Sequence, residues 1–202
     1  MLSPSDAPSD RIFASRGVFL GGFPGIPARR SSGTLYKVGE KVVYPHHGAG
    51  TIVSRDTRQV GDQEREYLTI KILHNDMTVT IPLDSADRVG LRKVIQEETV
   101  DQVIEVLQGD GTKMPKNWNR RFKHNRDKMK TGDIFEMAEV VRNLAQRDQE
   151  KGLSTGEKQM FSKAKRILAS ELMYAKGMDE DEAREFLEEV LEEIGEARRA
   201  RA

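Results

Sequence analysis

The residues best suited to chemistry lie in one stretch, Met114-Pro-Lys-Asn-Trp-Asn-Arg-Arg-Phe-Lys-His-Asn-Arg-Asp-Lys-Met-Lys130. It holds the only tryptophan of the chain, Trp118, inside the densest run of positive charge. Between Thr112 and Thr131 there are eight basic residues (Lys113, Lys116, Arg120, Arg121, Lys123, Arg126, Lys128, Lys130) and one acid, Asp127. Pro115 followed by Asn117 marks a helix start, with Asn117 as N-cap and Trp118 in the first turn. On a helix, Trp118, Phe122 and Met129 fall near one stripe, and basic side chains cover most of the rest. A cationic helix with an aromatic at its tip suits a nucleic-acid backbone and an unstacked or kinked base step. A tryptophan in a charged helix also serves as a core anchor, and a charge run also serves as a solvated face. Residue types alone leave both readings open.

Other chemistries find less support. His46-His47 suggests a metal site, but the chain has no cysteine, its other histidines are His74 and His124, and the carboxylates lack ligand spacing. The pair reads instead as turn or partner-contact residues. There is no nucleophile elbow, P-loop or glycine-rich dinucleotide fingerprint. Binding is therefore expected rather than catalysis, with no cofactor.

The 202 residues allow one to two domains. No apolar run approaches the ~20 residues that span a bilayer. With a third of residues charged and 37% hydrophobic, modest cores are expected. The zero net charge conceals a partition: residues 1–33 carry net +2, 34–90 net −1, 91–178 net +5, and 179–202 net −6. That pattern suits one domain facing protein, one facing a polyanion, and an acidic last helix.

Residues 1–33 hold four of the seven prolines and no periodic pattern, and read as a disordered extension. Its apolar part is broken by Gly and Pro, unlike a signal peptide. Residues 34–90 read as strands: Lys41-Val-Val-Tyr44, Gly48-Ala-Gly-Thr-Ile-Val53, Glu66-Tyr-Leu-Thr-Ile-Lys-Ile-Leu73 and Met77-Thr-Val-Thr-Ile-Pro82, with turns at Gly61-Asp62 and Asn75-Asp76. Four or five short strands with glycine kinks predict a small SH3- or Tudor-like barrel whose exposed edge can pair with a partner strand.

After Gly90 the pattern turns helical. Thr99-Val-Asp-Gln102 reads as a capping box opening a helix to Leu107, and the Trp118 helix follows to about Lys130. Asp133 opens a third helix with Ile134, Met137, Ala138, Val141 and Leu144 facing the core. Ser154-Thr-Gly-Glu157 is a capping box for a fourth, with Met160, Phe161, Ala164, Ile167, Leu168 and Leu172 inward. The run Asp179-Glu-Asp-Glu182 begins the last, striped by Phe186, Leu187, Val190, Leu191 and Ile194. The fold class is thus α+β, a small barrel followed by an all-helical domain of about five helices over residues 91–202. Arg142, Arg147, Lys158, Lys163, Lys165 and Arg166 can extend the basic surface.

Several separated motifs resemble the CarD family, bacterial transcription regulators of the CarD and CdnL type. They are Lys37-Val-Gly-Glu-Lys-Val-Val-Tyr-Pro-His-His-Gly48, Glu66-Tyr-Leu68, Val89-Gly-Leu-Arg92, Asn117-Trp-Asn-Arg-Arg-Phe-Lys123, Ala138-Glu-Val-Val-Arg142 and Leu153-Ser-Thr-Gly-Glu-Lys158. The match covers roughly residues 34 to 195. It implies a Tudor-like domain that binds the RNA polymerase β subunit at its β1 lobe, a fold shared with transcription-repair coupling factors. It also implies a helical domain that contacts promoter DNA, independently of sequence, at the upstream edge of the bubble. Such proteins stabilise the open promoter complex, chiefly at ribosomal RNA and other housekeeping promoters. By this resemblance Trp118 is the minor-groove wedge, Arg120, Arg121, Lys123 and Lys158 are phosphate-binding positions, and Arg58 lies at the polymerase interface. Where mycobacterial members have a second interface arginine, this chain has Thr80, which implies either weaker polymerase binding or other contacts, with Lys71 a candidate. A cytoplasmic, nucleoid-associated monomer with no membrane partner is the corresponding expectation.

Two other classes remain open at this stage. One is a stand-alone nucleic-acid binder, and the other is a protein adaptor with Trp118 in its core. Steep salt dependence belongs to the phosphate-binding readings and not to the adaptor.

Overall fold

The computed structural model describes residues 36–45, 47–73 and 77–200. The extension expected over 1–33, His46, His74 and the Asn75-Asp76 turn lie outside the described residues. The fold is α+β, an antiparallel five-stranded sheet of Tudor-like type followed by five helices.

The strands are β1 (Lys41–Tyr44), β2 (Gly48–Val60), β3 (Gln63–Ile72), β4 (Thr78–Pro82) and β5 (Arg92–Lys93), in the order β4-β3-β2-β1-β5. Period-two alternation decides their faces. Leu68, Ile70 and Ile72 of β3 meet Val79 and Ile81 of β4, Val42 and Ile52 in one core, which Tyr36 and Leu91 close. The Tyr36 hydroxyl donates to the Leu91 carbonyl at 2.8 Å. Sequence reading ends β2 at Val53; the strand instead runs to Val60. A bulge between Ile52 and Ser54 shifts the register and leaves Val53 45% exposed, and pairing with β3 then resumes. The sheet also passes the boundary expected at residue 90, because β5 pairs with β1.

The helices are α1 (Glu98–Gln108), α2 (Trp118–Thr131), α3 (Ile134–Lys151), α4 (Thr155–Lys176) and α5 (Glu180–Arg199). Four begin on side-chain caps: Asn117, Asp133, Ser154 and Asp179. The Ser154–Glu157 capping box forms as expected. The Thr99–Gln102 box does not. The first helix starts two residues earlier, with Glu97 at the N-cap in helical conformation and no side-chain bond, so Thr99 lies inside the first turn. Val100, Val103, Leu107, Met129, Met137, Val141, Leu144, Leu168, Leu172 and Leu187 share one helical core, against which Phe122, Phe161 and Phe186 pack half-buried.

The helix α4 joins the two cores. Ser170 Oγ accepts from the Ala49 N–H at 3.0 Å, and Tyr174 approaches Thr51 while Lys41 lies over its ring. Glu171, 1% exposed, takes Arg92 at 2.5 and 2.8 Å and the Ile95 N–H at 3.1 Å. Arg92 Nε also donates to the Gly132 carbonyl. Gly132 caps α2 at φ 72°, and a Cβ there would stand 2.9 Å from Pro45 Cγ, so both backbone shape and space require glycine.

Candidate nucleic-acid interface

The N-terminal turns of α2 and α4 meet, and the sequence of each explains the contact. Asn117 caps α2, so Trp118 enters as its first residue. The Trp118 ring stacks on Phe122, one turn later, with centroids 5.2 Å apart. Gly156, in the first turn of α4, offers both rings a surface without a side chain: a Cβ there would meet Phe122 and Trp118 at 3.4 and 3.6 Å. The indole Nε1–H donates to Ser154 Oγ at 2.9 Å. The tryptophan is thus held by stacking and by one hydrogen bond, yet remains 43% exposed and stands outside both cores.

The cations separate into two groups. Arg120, Lys123, Arg126 and Lys158 are exposed and have no ion pair among the described residues. Lys158 follows the Trp118 contact at Ser154 by one turn of α4. Lys128 is instead held by Glu139 at 2.6 Å and Glu136 at 3.3 Å. Burial pulls its pKa down, but these carboxylates outweigh burial and raise it.

Arg121 departs from the expectation of a phosphate contact. Its side chain is 5% exposed and points inward, with Nε 2.7 Å from Glu157 Oε1 and Nη1 donating to the Pro115 and Lys116 carbonyls. Arg147 Nε lies 3.4 Å from the same carboxylate oxygen. Burial pushes the Glu157 carboxyl up, but the hydrogen bonds from Arg121 and Ser154 outweigh it and hold the group below the usual carboxylate range. Arg142 is also turned inward, donating to Val106 O and Thr112 Oγ1, so it does not extend a basic surface. Lys165 pairs with Glu188.

In the sheet domain, strand register brings the other expected site residues onto one face. Thr69 opposes Thr80, Thr51 opposes Lys71, and Arg58 opposes Arg65. Arg58, Lys71 and Thr80 therefore share the face opposite the core. The Arg58 guanidinium lies 5.2 Å from the Tyr67 ring centroid. Thr80 Oγ1 is 3.4 Å from Thr69 Oγ1. Val43 and Ala49, on the same face, are buried, and the Ala49 N–H donates to Ser170 of α4, so the helical domain covers one end and leaves the Arg58 end exposed.

Among the described residues no group of three or more His, Cys, Asp or Glu is placed to hold a metal ion. No helix of the described residues is long and apolar enough to cross a membrane.

An antiparallel sheet joined to a helical domain that displays a tryptophan among unpaired cations defines a two-part binding protein. The chain matches the CarD-like/TRCF RID domain over residues 36–95 and the CarD, C-terminal domain over residues 102–188. It is 34% identical over 152 residues to a protein of Bacillus subtilis (strain 168) named Putative transcription factor YdeB, covering 75% of this chain and 99% of that one. The chain belongs to the CarD family, whose members regulate transcription through interaction with RNA polymerase.

Proposed function

We propose that this protein stabilises the open promoter complex, docked on the polymerase β subunit at its β1 lobe and touching DNA at the upstream fork of the bubble. The face carrying Arg58, Lys71 and Thr80 docks on polymerase. Docking raises the effective concentration of the helical domain at the promoter, so its own DNA affinity need only be weak. Arg120, Lys123 and Lys158 contact phosphates and set position without reading sequence. Trp118 enters the distorted minor groove where duplex gives way to bubble. A ligand shifts an equilibrium only by its differential affinity, so contacts available only at an open fork favour opening. One aromatic–base contact contributes on the order of 1–3 kcal/mol. The protein acts as a cytoplasmic monomer, associated with the nucleoid through polymerase, and performs no catalysis.

The observation that carries this reading is the state of Trp118: exposed, yet oriented by Ser154 and Phe122 beside unpaired cations. Orientation before binding lowers the entropy cost of inserting the ring. The test is promoter opening by a cognate holoenzyme, followed by a fluorophore near the upstream fork. Wild-type protein should raise the open fraction. No rise, with polymerase binding intact, would favour a protein adaptor instead.

A further inference from the structure

A hollow of about 570 Å³ lies between α3 and the loop that leads into α2. We propose that it is a phosphate-binding site. Its floor is polar and firmly built: Arg121 and Asn143, both lining it, are 4% and 5% exposed. Beneath it Glu157 Oε1 faces two guanidiniums, Arg121 at 2.7 Å and Arg147 at 3.4 Å. One carboxylate against two guanidiniums leaves a positive charge without a counter-ion, and Arg147 Nε is buried with no hydrogen-bond partner.

Other donors converge there. Asn143 Oδ1 accepts from the Thr112 N–H, but its Nδ2 meets only the Met114 thioether at 3.7 Å, a weak acceptor. Lys116 and Lys151 stand exposed on the lining with no ion pair among the described residues. Glu150, the one acid of the lining, accepts from Gln146 at 2.9 Å and keeps its charge, but with Glu157 it faces four cations, Lys116, Arg121, Arg147 and Lys151, so the site stays net positive. Donors thus exceed acceptors around a concave space of ligand-pocket size. The Arg147 guanidinium and the ammonium groups of Lys116 and Lys151, above a floor that Arg121 builds but does not open, select a compact group with several anionic oxygens.

The site adjoins the DNA-facing tryptophan. The loop walling it is tied by Thr112 to Asn143 and by the Pro115 and Lys116 carbonyls to Arg121, and it ends at Trp118. A phosphate seated here braces the loop and reports at the indole. The phosphate comes either from a DNA backbone or from a free phosphorylated small molecule.

The experiment titrates the full chain with inorganic pyrophosphate at constant ionic strength, by calorimetry and by the fluorescence of the single tryptophan. Saturable binding is expected, weakened by about tenfold or more in Arg147→Gln and in Lys151→Gln. Lys151 is exposed, so its variant keeps the test valid should loss of Arg147 unfold the protein. An equal response in all three proteins, or one reproduced by sodium chloride, overturns the site. A parallel titration with forked DNA assigns the source. Weaker DNA binding by Lys151→Gln, with pyrophosphate competing, marks a backbone phosphate; pyrophosphate binding with unchanged DNA affinity marks a free ligand. Failure to bind pyrophosphate leaves the Trp118 reading untouched, because promoter opening is measured separately.

Discussion

Arg121 and Glu157 join the first turns of α2 and α4 through a buried ion pair, Nε to Oε1 at 2.7 Å. Trp118 stands one turn before Arg121, and Ser154, which accepts its indole proton, is the cap that Glu157 completes. The orientation of the exposed ring therefore depends on a salt bridge that is itself shielded from solvent. Removing one partner of a buried pair leaves the other charged and uncompensated, at a cost of roughly 3–5 kcal/mol. Glu157→Gln should lower the unfolding free energy by that margin, read as a lower urea midpoint at an unchanged slope. An unaltered midpoint would show that the pair does not hold the helices together.

The same carboxylate sets an acid limit. Its folded pKa is depressed, so above the ordinary glutamate value of about 4.3 its full contribution to stability is present. Below that value the unfolded chain takes up the proton first, and the contribution is lost as pH falls through the folded pKa. Urea midpoints measured from neutral pH downwards should fall more steeply in wild type than in Glu157→Gln. Parallel profiles would assign acid sensitivity to other groups, such as Glu139 or Glu40, whose pKa values are also lowered.

Salt dependence distinguishes displayed cations from engaged ones. Replacing Arg120, Lys123 or Lys158 by alanine should each reduce the slope of log affinity against log salt on forked DNA by about 0.9. Lys128→Met should leave that slope unchanged, because Glu139 and Glu136 already hold the ammonium group. Equal losses in all four variants would mean that the helix acts only through its overall charge.

At the other domain, Arg58→Glu reverses a charge on the exposed end of the sheet face. Capture of polymerase should weaken by about tenfold or more, with forked-DNA binding by the isolated protein preserved. Unchanged capture would move the interface away from Arg58.

Much of this arrangement is legible from residue order. Asn117, Asp133 and Ser154 mark their helices because short polar side chains reach the free N–H groups of a first turn. Strand alternation likewise places Leu68, Ile70 and Ile72 together. Arg121 is misread when charge is counted by type, since a basic run hides the helical period. Arg121, Phe122, Asn125 and Met129 follow three- and four-residue spacing into the protein, and Glu157 is the acid that permits an arginine there. The two-residue strand β5 shows no alternation at all, because only its pairing with β1 defines it. The bulge at Val53 was hidden for a similar reason: Val53 is a good strand residue on either face, and only the register with β3 reveals the shift.

The most direct test of the central claim is the lifetime of open promoter complexes after competitor addition, at saturating protein. Wild type should prolong that lifetime, whereas Trp118→Ala should bind polymerase normally and leave the lifetime near that of polymerase alone. The loss of on the order of 1–3 kcal/mol would appear as a change of several-fold or more. Equal prolongation by both proteins would contradict a role for Trp118 at the fork.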